Sequence, residues 1–370
     1  MTPITDRILQ RTLEIQAIPA PTFEEHTRAE FVRAQFEAEG LETEIDEIGN
    51  VYAHVPGAAN AKPLILSAHT DTVFPADTPL NTRTEGDKVY GPGIGDNSTA
   101  VAALFGVLWE LRARGTTLPG DLWLVANVGE EGLGDLNGMR AVVERFGDTP
   151  AAYVVLEGMA LGQVYHRALG VRRYRISTHT QGGHSWVNFG RPSAIHELTH
   201  IAHQIMQIEI PKNPMTSFNI GTISGGVSIN TIAPTASLDL DLRSESPIEL
   251  DRLASCVLGI VRQARRDGVE VWIETIGNRP AGELPLTHPL IELAKACLHE
   301  AGIAPNLQIG STDANIPLSR GYPAVCVGLT KGGGAHTTEE YLLVSPMEKG
   351  LTQLMLLIER IFTNPALSKS

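Results

Sequence analysis

The chain has 370 residues, with 29 Lys and Arg against 42 Asp and Glu, a formal net charge of −13, and is 42% hydrophobic. That composition excludes disorder as the main state, and the acidity excludes general binding to nucleic acid or anionic membrane. Three widely spaced cysteines without a CxxC pair (Cys256, Cys297, Cys326), a start unlike a signal peptide and no apolar run near the roughly 18 residues of a membrane span suit a cytoplasmic protein.

Ile8, Leu9, Leu13 and Ile15 predict an opening helix, and a second helix is expected over 22–39, stopped by Gly40. Short apolar runs at 63–68, 122–128 and 153–156 read as strands. Between the first two lies a helix over 98–114, with Val101, Leu104, Phe105, Leu108 and Leu111 at helical spacing. Strands separated by helices predict an α/β layer around a mostly parallel mixed sheet with helices on both faces. The middle of the chain changes style. Strands at 171–180, 217–224, 236–243 and 269–275 alternate with helices at 192–208 and 247–266, the β-α-β-β-α-β order of a ferredoxin-like unit. From 289 the first style returns: a helix to about 301, a strand at 324–327 and a closing helix over 346–362. The expected organisation is a discontinuous α/β domain, 1–165 with 285–370, interrupted by a small α+β domain, 166–284.

Chemistry collects where strands end. The strand at 63–68 runs into His69-Thr70-Asp71, the one at 122–128 into Gly129-Glu130-Glu131-Gly132, and the one at 153–156 into Glu157. Asp96 precedes the helix at 98, and His336 follows the glycines after the late strand. In open α/β sheets the strand ends are where ligands bind. Imidazole and carboxylate suit zinc. If Asp96 bridges two dications, with His69 and Glu157 on one and Glu131 and His336 on the other, three carboxylates and one hydroxide balance the charge. Asp71 would then orient His69, and Glu130 would carry protons as general base.

In that order, His69-Thr-Asp71, Gly95-Asp96-Asn97, Gly129-Glu-Glu-Gly132, Leu156-Glu157-Gly158 and Gly334-Ala-His336 resemble the two-zinc metallopeptidases that include peptidase T, glutamate carboxypeptidase, aminoacylase, acetylornithine deacetylase and succinyl-diaminopimelate desuccinylase. The resemblance implies those same roles, with 1–165 and 285–370 as the catalytic metal-binding domain and 166–284 as a lid and dimerisation domain. It implies that His184, in Gly182-Gly-His-Ser185, polarises the scissile carbonyl from the lid, in a partner's site in dimeric members. It implies that Asn230 and Arg243 grip the substrate end, and that the loop with Ser311 and Asp313 faces the substrate. Arg243 has a simpler reading beside it, an ion pair with Asp241. The family places Asp at position 157 in peptidase T and Glu in aminoacylase and the desuccinylase, which weighs against a tripeptidase.

The expected protein is a cytoplasmic homodimer with two divalent ions, zinc first and cobalt or manganese as alternatives. It hydrolyses the amide bond of small peptides, as a tripeptidase, aminopeptidase or carboxypeptidase, or of N-acyl amino acids as a deacylase. Two rivals stand beside it. One is a non-catalytic peptide- or amino-acid-binding relative. The other is a zincin through His196-Glu-Leu-Thr-His200, an H-E-x-x-H string on a predicted helix. Leu198, Ala202, Ile205 and Ile195 mark the buried stripe of that helix, leaving His196, His200 and His203 wet.

Overall fold

Apolar strands without alternation must be covered on both faces, and the chain does this with a nine-stranded sheet. The computed structural model describes residues 2–368. Across the main path of the sheet the strands run Glu42–Ile45, Val51–Val55, Leu122–Asn127, Leu64–His69, Ala152–Leu156, Ala324–Val327, Gln163–Ala168 and Gly282–Glu283; Asn306–Gly310 pairs with 163–168. The four at the centre, from 122–127 to 324–327, are mutually parallel, and the outer pairings are mixed. Every residue of 64–69 and 152–156 is buried. Helix Thr99–Arg114 is buried along nearly its whole length and ends at Gly115 in the left-handed region, φ 60°. Its small residues let a neighbour come close: a Cβ on Gly106 would sit 2.4 Å from Ile8 Cδ1 of helix Pro3–Gln16.

A second sheet matters for the site. Gly332–Gly333, Tyr341–Leu343, Lys88–Tyr90 and Arg83–Glu85 pair antiparallel in that order, with Tyr341 opposite Tyr90. It sets the loop after 333 beside the segment after 90.

The chain divides into two compact units, Met1–Ala168 with Gly282–Ser370, and Leu169–Ala281. In the second unit four antiparallel strands stand in the order Thr216–Gly225, Thr235–Ser244, Gly170–Thr180, Val269–Arg279, the 2-3-1-4 order of a split βαβ. Leu238, Leu240 and Leu242 point inward with Ile176. They share one core with Leu198, Ile201 and Ile205 of helix Ala194–Met206 and Leu253 and Val257 of helix Pro247–Ala264.

Two expectations need correction. The second helix starts at His26, not 22, because Phe23 takes φ 77° and Thr22 and Glu25 are used for loop contacts described below. Ile195 is not on the buried stripe but 39% exposed; the buried stripe runs through Ala194, Leu198, Ile201, Ala202 and Ile205. No described helix is long and apolar enough to cross a membrane.

Candidate metal centre

The parallel strands share one C-terminal edge, because His69 lies opposite Asn127 and Leu156 opposite Val327. His69 ends its own strand, Glu157 follows the next, and Glu130 and Glu131 stand just past Asn127. Asp96 arrives on the turn before helix 99–114, where the Asp96–Asn97 peptide is cis. His336 sits in the hairpin between 333 and 341, with φ 64°.

These groups converge around Asp96. Its Oδ1 lies 3.2 Å from His69 Nε2, and its Oδ2 lies 3.2 Å from His336 Nε2. Glu157 Oε2 stands 3.8 Å from His69 Nε2, and Glu131 Oε1 3.1 Å from His336 Nε2. The arrangement is two half-sites sharing one carboxylate. The His69 half is closed; His336 is 54% exposed. Ligand atoms of His69, Asp96 and Glu131 lie within 4.8 Å of one another.

The electrostatics call for positive charge. Burial pushes the Glu157 carboxyl up to about 7, and the charges of Asp96 and Asp313 add to that. Burial acts the same way on Asp96, but hydrogen bonds from His336 and His69 outweigh it and hold its carboxyl well below the usual range. Contacts with Asp96 and Glu131 raise the His336 imidazole to about 10. Burial disfavours charge on His69, yet Asp71, Asp96 and Glu157 still raise it well above the ordinary value. A cluster that draws protons onto both imidazoles is one that a cation stabilises. Its donors, two imidazoles and three carboxylates, are of the kind divalent ions such as zinc take. The residues therefore fit a metal group.

Outer groups hold this geometry. His69 Nδ1 faces the backbone oxygen of Asp71 at 3.1 Å and its carboxylate at 3.4 Å. The Asp71 carboxylate also accepts the N–H of Glu130 at 3.0 Å, the N–H of Glu131 at 2.8 Å and the Thr22 hydroxyl at 2.9 Å. One buried acid thus sets both the histidine and the two-glutamate loop. Glu25 accepts the N–H of Gly129 at 3.1 Å, and fully buried Arg28 donates to the carbonyl of Thr70 at 2.7 Å. Asn97 donates to the carbonyl of Leu156 at 2.9 Å and accepts the N–H of Gly158 at 2.8 Å, which fixes the flanks of Glu157. Glu25, Arg28 and Asn127 carry no motif, so the sequence offers no signal for them. Asn97 is visible only as the neighbour of Asp96.

The Ser311–Asp313 loop divides. Ser311 is half-buried, while Asp313 is fully buried and accepts from Asn127 at 2.7 Å. Asp313 stands behind strand residue Asn127, the partner of His69, and its charge acts on Glu157.

Within the second unit, Gly183 and His184 pair with Ile232 and Thr231, and the Ser185 N–H donates to the carbonyl of Asn230 at 3.0 Å, so His184 and Asn230 are neighbours. His184 Nδ1 accepts the backbone N–H of Trp186 at 3.2 Å and of Val187 at 3.4 Å. The neutral ring therefore carries its proton on Nε2. Arg243 pairs with Asp241 at 2.7 Å, and Asp241 also accepts from Arg173 at 3.0 Å. His196, His200 and His203 are exposed, and Glu197 is held by Arg266 at 2.7 Å. A zincin would need that glutamate as its base.

Residues 65–360 match peptidase family M20/M25/M40, a span that holds all five converging donors. The chain belongs to that family. An M20-domain protein of Schizosaccharomyces pombe is 30% identical over 60% of this chain and 57% of its own length, so the match spans little more than half of that relative. N-acetyl-L-citrulline deacetylase of Xanthomonas campestris is 24% identical over 86% of this chain and 87% of its own. Carboxypeptidase G2 of a Pseudomonas species is 27% identical over 82% and 74%. In fold, this M20 chain resembles a tripeptidase of Staphylococcus aureus with a TM-score of 0.82, at 21% identity over 97% of this chain and 99% of that one.

Proposed function

We propose that this M20-family protein is a metal-dependent hydrolase that cuts the amide bond of small peptides. The observation that carries the reading is Asp96, with one oxygen 3.2 Å from each of two histidines, each histidine backed by a second carboxylate. His69, Asp96 and Glu157 would hold one divalent ion, and Asp96, Glu131 and His336 the other, with zinc the natural occupant. Such a pair supplies Lewis-acid polarisation of the carbonyl and a water acidic enough to react near neutral pH.

The chain's own residues do the rest. Glu130, set by Asp71, takes a proton from the attacking water and passes it to the departing nitrogen. Asp71 keeps the His69 ring turned towards Asp96 and Glu157. The Nε2–H of His184 donates to the carbonyl oxygen as negative charge develops there. Asn230 and Ser311 orient the substrate, and Arg243, its guanidinium partly neutralised by Asp241, takes a substrate carboxylate in its planar fork. The unit Leu169–Ala281 serves as lid and dimerisation domain of a cytoplasmic homodimer.

Deacylation of N-acyl amino acids is the second reading. Glu at 157 and the alignment with N-acetyl-L-citrulline deacetylase over 86% of the chain favour it.

Elemental analysis should find two divalent ions per chain, and Asp96→Ala should lose both. Hydrolysis should then be scored on dipeptides, tripeptides and N-acetyl amino acids. A protein that binds no divalent ion, or cleaves as well after its removal, would sink the reading.

A further inference from the structure

We propose that Glu340 is a positioning residue that, through the Asp96 amide, holds the carboxylate shared by His69 and His336 from the His336 side of the centre. The inference rests on the reading of the metal centre above. Glu340 lies four residues after His336 and is fully buried. Its Oε1 accepts the backbone N–H of Gly95 at 2.7 Å and of Asp96 itself at 2.9 Å. Its backbone carbonyl accepts the N–H of Gly91 at 2.9 Å. The stretch 91–96 therefore folds around a single residue from the other end of the sequence. Gly93 makes the bend, at φ 67°, where a Cβ would sit 2.7 Å from Thr72 Cγ2.

Asp96 is thus gripped on both sides. On one side Glu340 ties its amide to the loop of His336. On the other, Asn97 ties the next residue to the flanks of Glu157. Each anchor joins the shared ligand to the loop of a different half-site. Glu340 itself is fixed by the neighbouring pairing of Tyr341 with Tyr90. The Gly95 and Asp96 amides share this one side-chain oxygen as their acceptor. Releasing them lets the Asp96 oxygens move relative to His336, the more exposed histidine of the two. The His69 half keeps its buried partners, so the two half-sites should respond differently.

The test titrates metal-free protein with Co2+ and follows the visible ligand-field absorption, which reports coordination without turnover. Wild type should take up two equivalents; that result tests the metal-centre reading alone. In Glu340→Met the tighter step should stay and the weaker one should loosen roughly 10–100-fold, with an altered second-equivalent spectrum. Glu340→Gln, which keeps an acceptor of the same reach, should recover most of the loss. Should the Met variant fail to fold, Glu340→Asp, one methylene shorter at equal charge, makes the same prediction. Two unchanged binding steps in the Met or Asp variant, or a Gln variant as weak as Met, overturns the assignment.

Discussion

Glu130 and Glu131 adjoin in sequence, and a single buried acid fixes the backbone of both. Asp71 accepts the N–H of both, which holds the loop in one conformation. Glu131 Oε1 reaches His336 Nε2 at 3.1 Å. Glu130→Gln should therefore keep two metal ions by elemental analysis while kcat falls by about 10²–10⁴. Normal turnover in that variant would remove Glu130 from the chemistry. Arg28 makes a different kind of prediction. Its guanidinium is buried between the carbonyls of Ile18 and Thr70, and burial lowers its pKa to about 10. Arg28→Met leaves those buried acceptors short of a donor and should lower stability by about 1–3 kcal/mol for each one left unsatisfied, read from the denaturant midpoint. At this scale the five donors were legible in the sequence, since each stands beside a strand end or a helix start. Arg28 and Glu25 were not, since an arginine and a glutamate among many become special only through burial.

Helix Ala194–Met206 shows how an element decides a motif. The H-E-x-x-H string is present, but the apolar stripe turns both histidines to water and Arg266 holds the glutamate. The double variant His196→Ala, His200→Ala should retain its metal content and keep kcat/KM within about twofold, as surface changes do. A loss of metal there would restore the zincin reading. The closing helix Met347–Thr363 rests differently, on contact. A Cβ on Gly350 would lie 1.7 Å from the carbonyl oxygen of Leu329, just past strand 324–327. Gly350→Ala should cost about 1–3 kcal/mol by overpacking, measured by chemical unfolding. The helical spacing in 98–114 and the alternation in 236–243 were plain because one face of each pattern is regular. The hairpin strands Glu42–Ile45 and Val51–Val55 and the four-stranded sheet around 332–343 escaped notice. The strands of that second sheet are two or three residues long, too short for a period to register.

At the scale of the whole molecule, the reading predicts a dimer built through the unit Leu169–Ala281, and sedimentation equilibrium at assay concentration checks it. A strictly monomeric protein with full activity would confine His184 to its own chain. The order of α/β, inserted α+β and α/β elements was determined by the sequence alone, because hydrophobic period and turn residues are local properties. So were the types of residue that could meet a metal. Only the tertiary structure decided which of them meet. Sharing of Asp96 between His69 and His336 needs four parallel strands in one register and a hairpin that returns across more than 200 residues of chain. No local pattern encodes such a distance, because convergence depends on how separate elements pack.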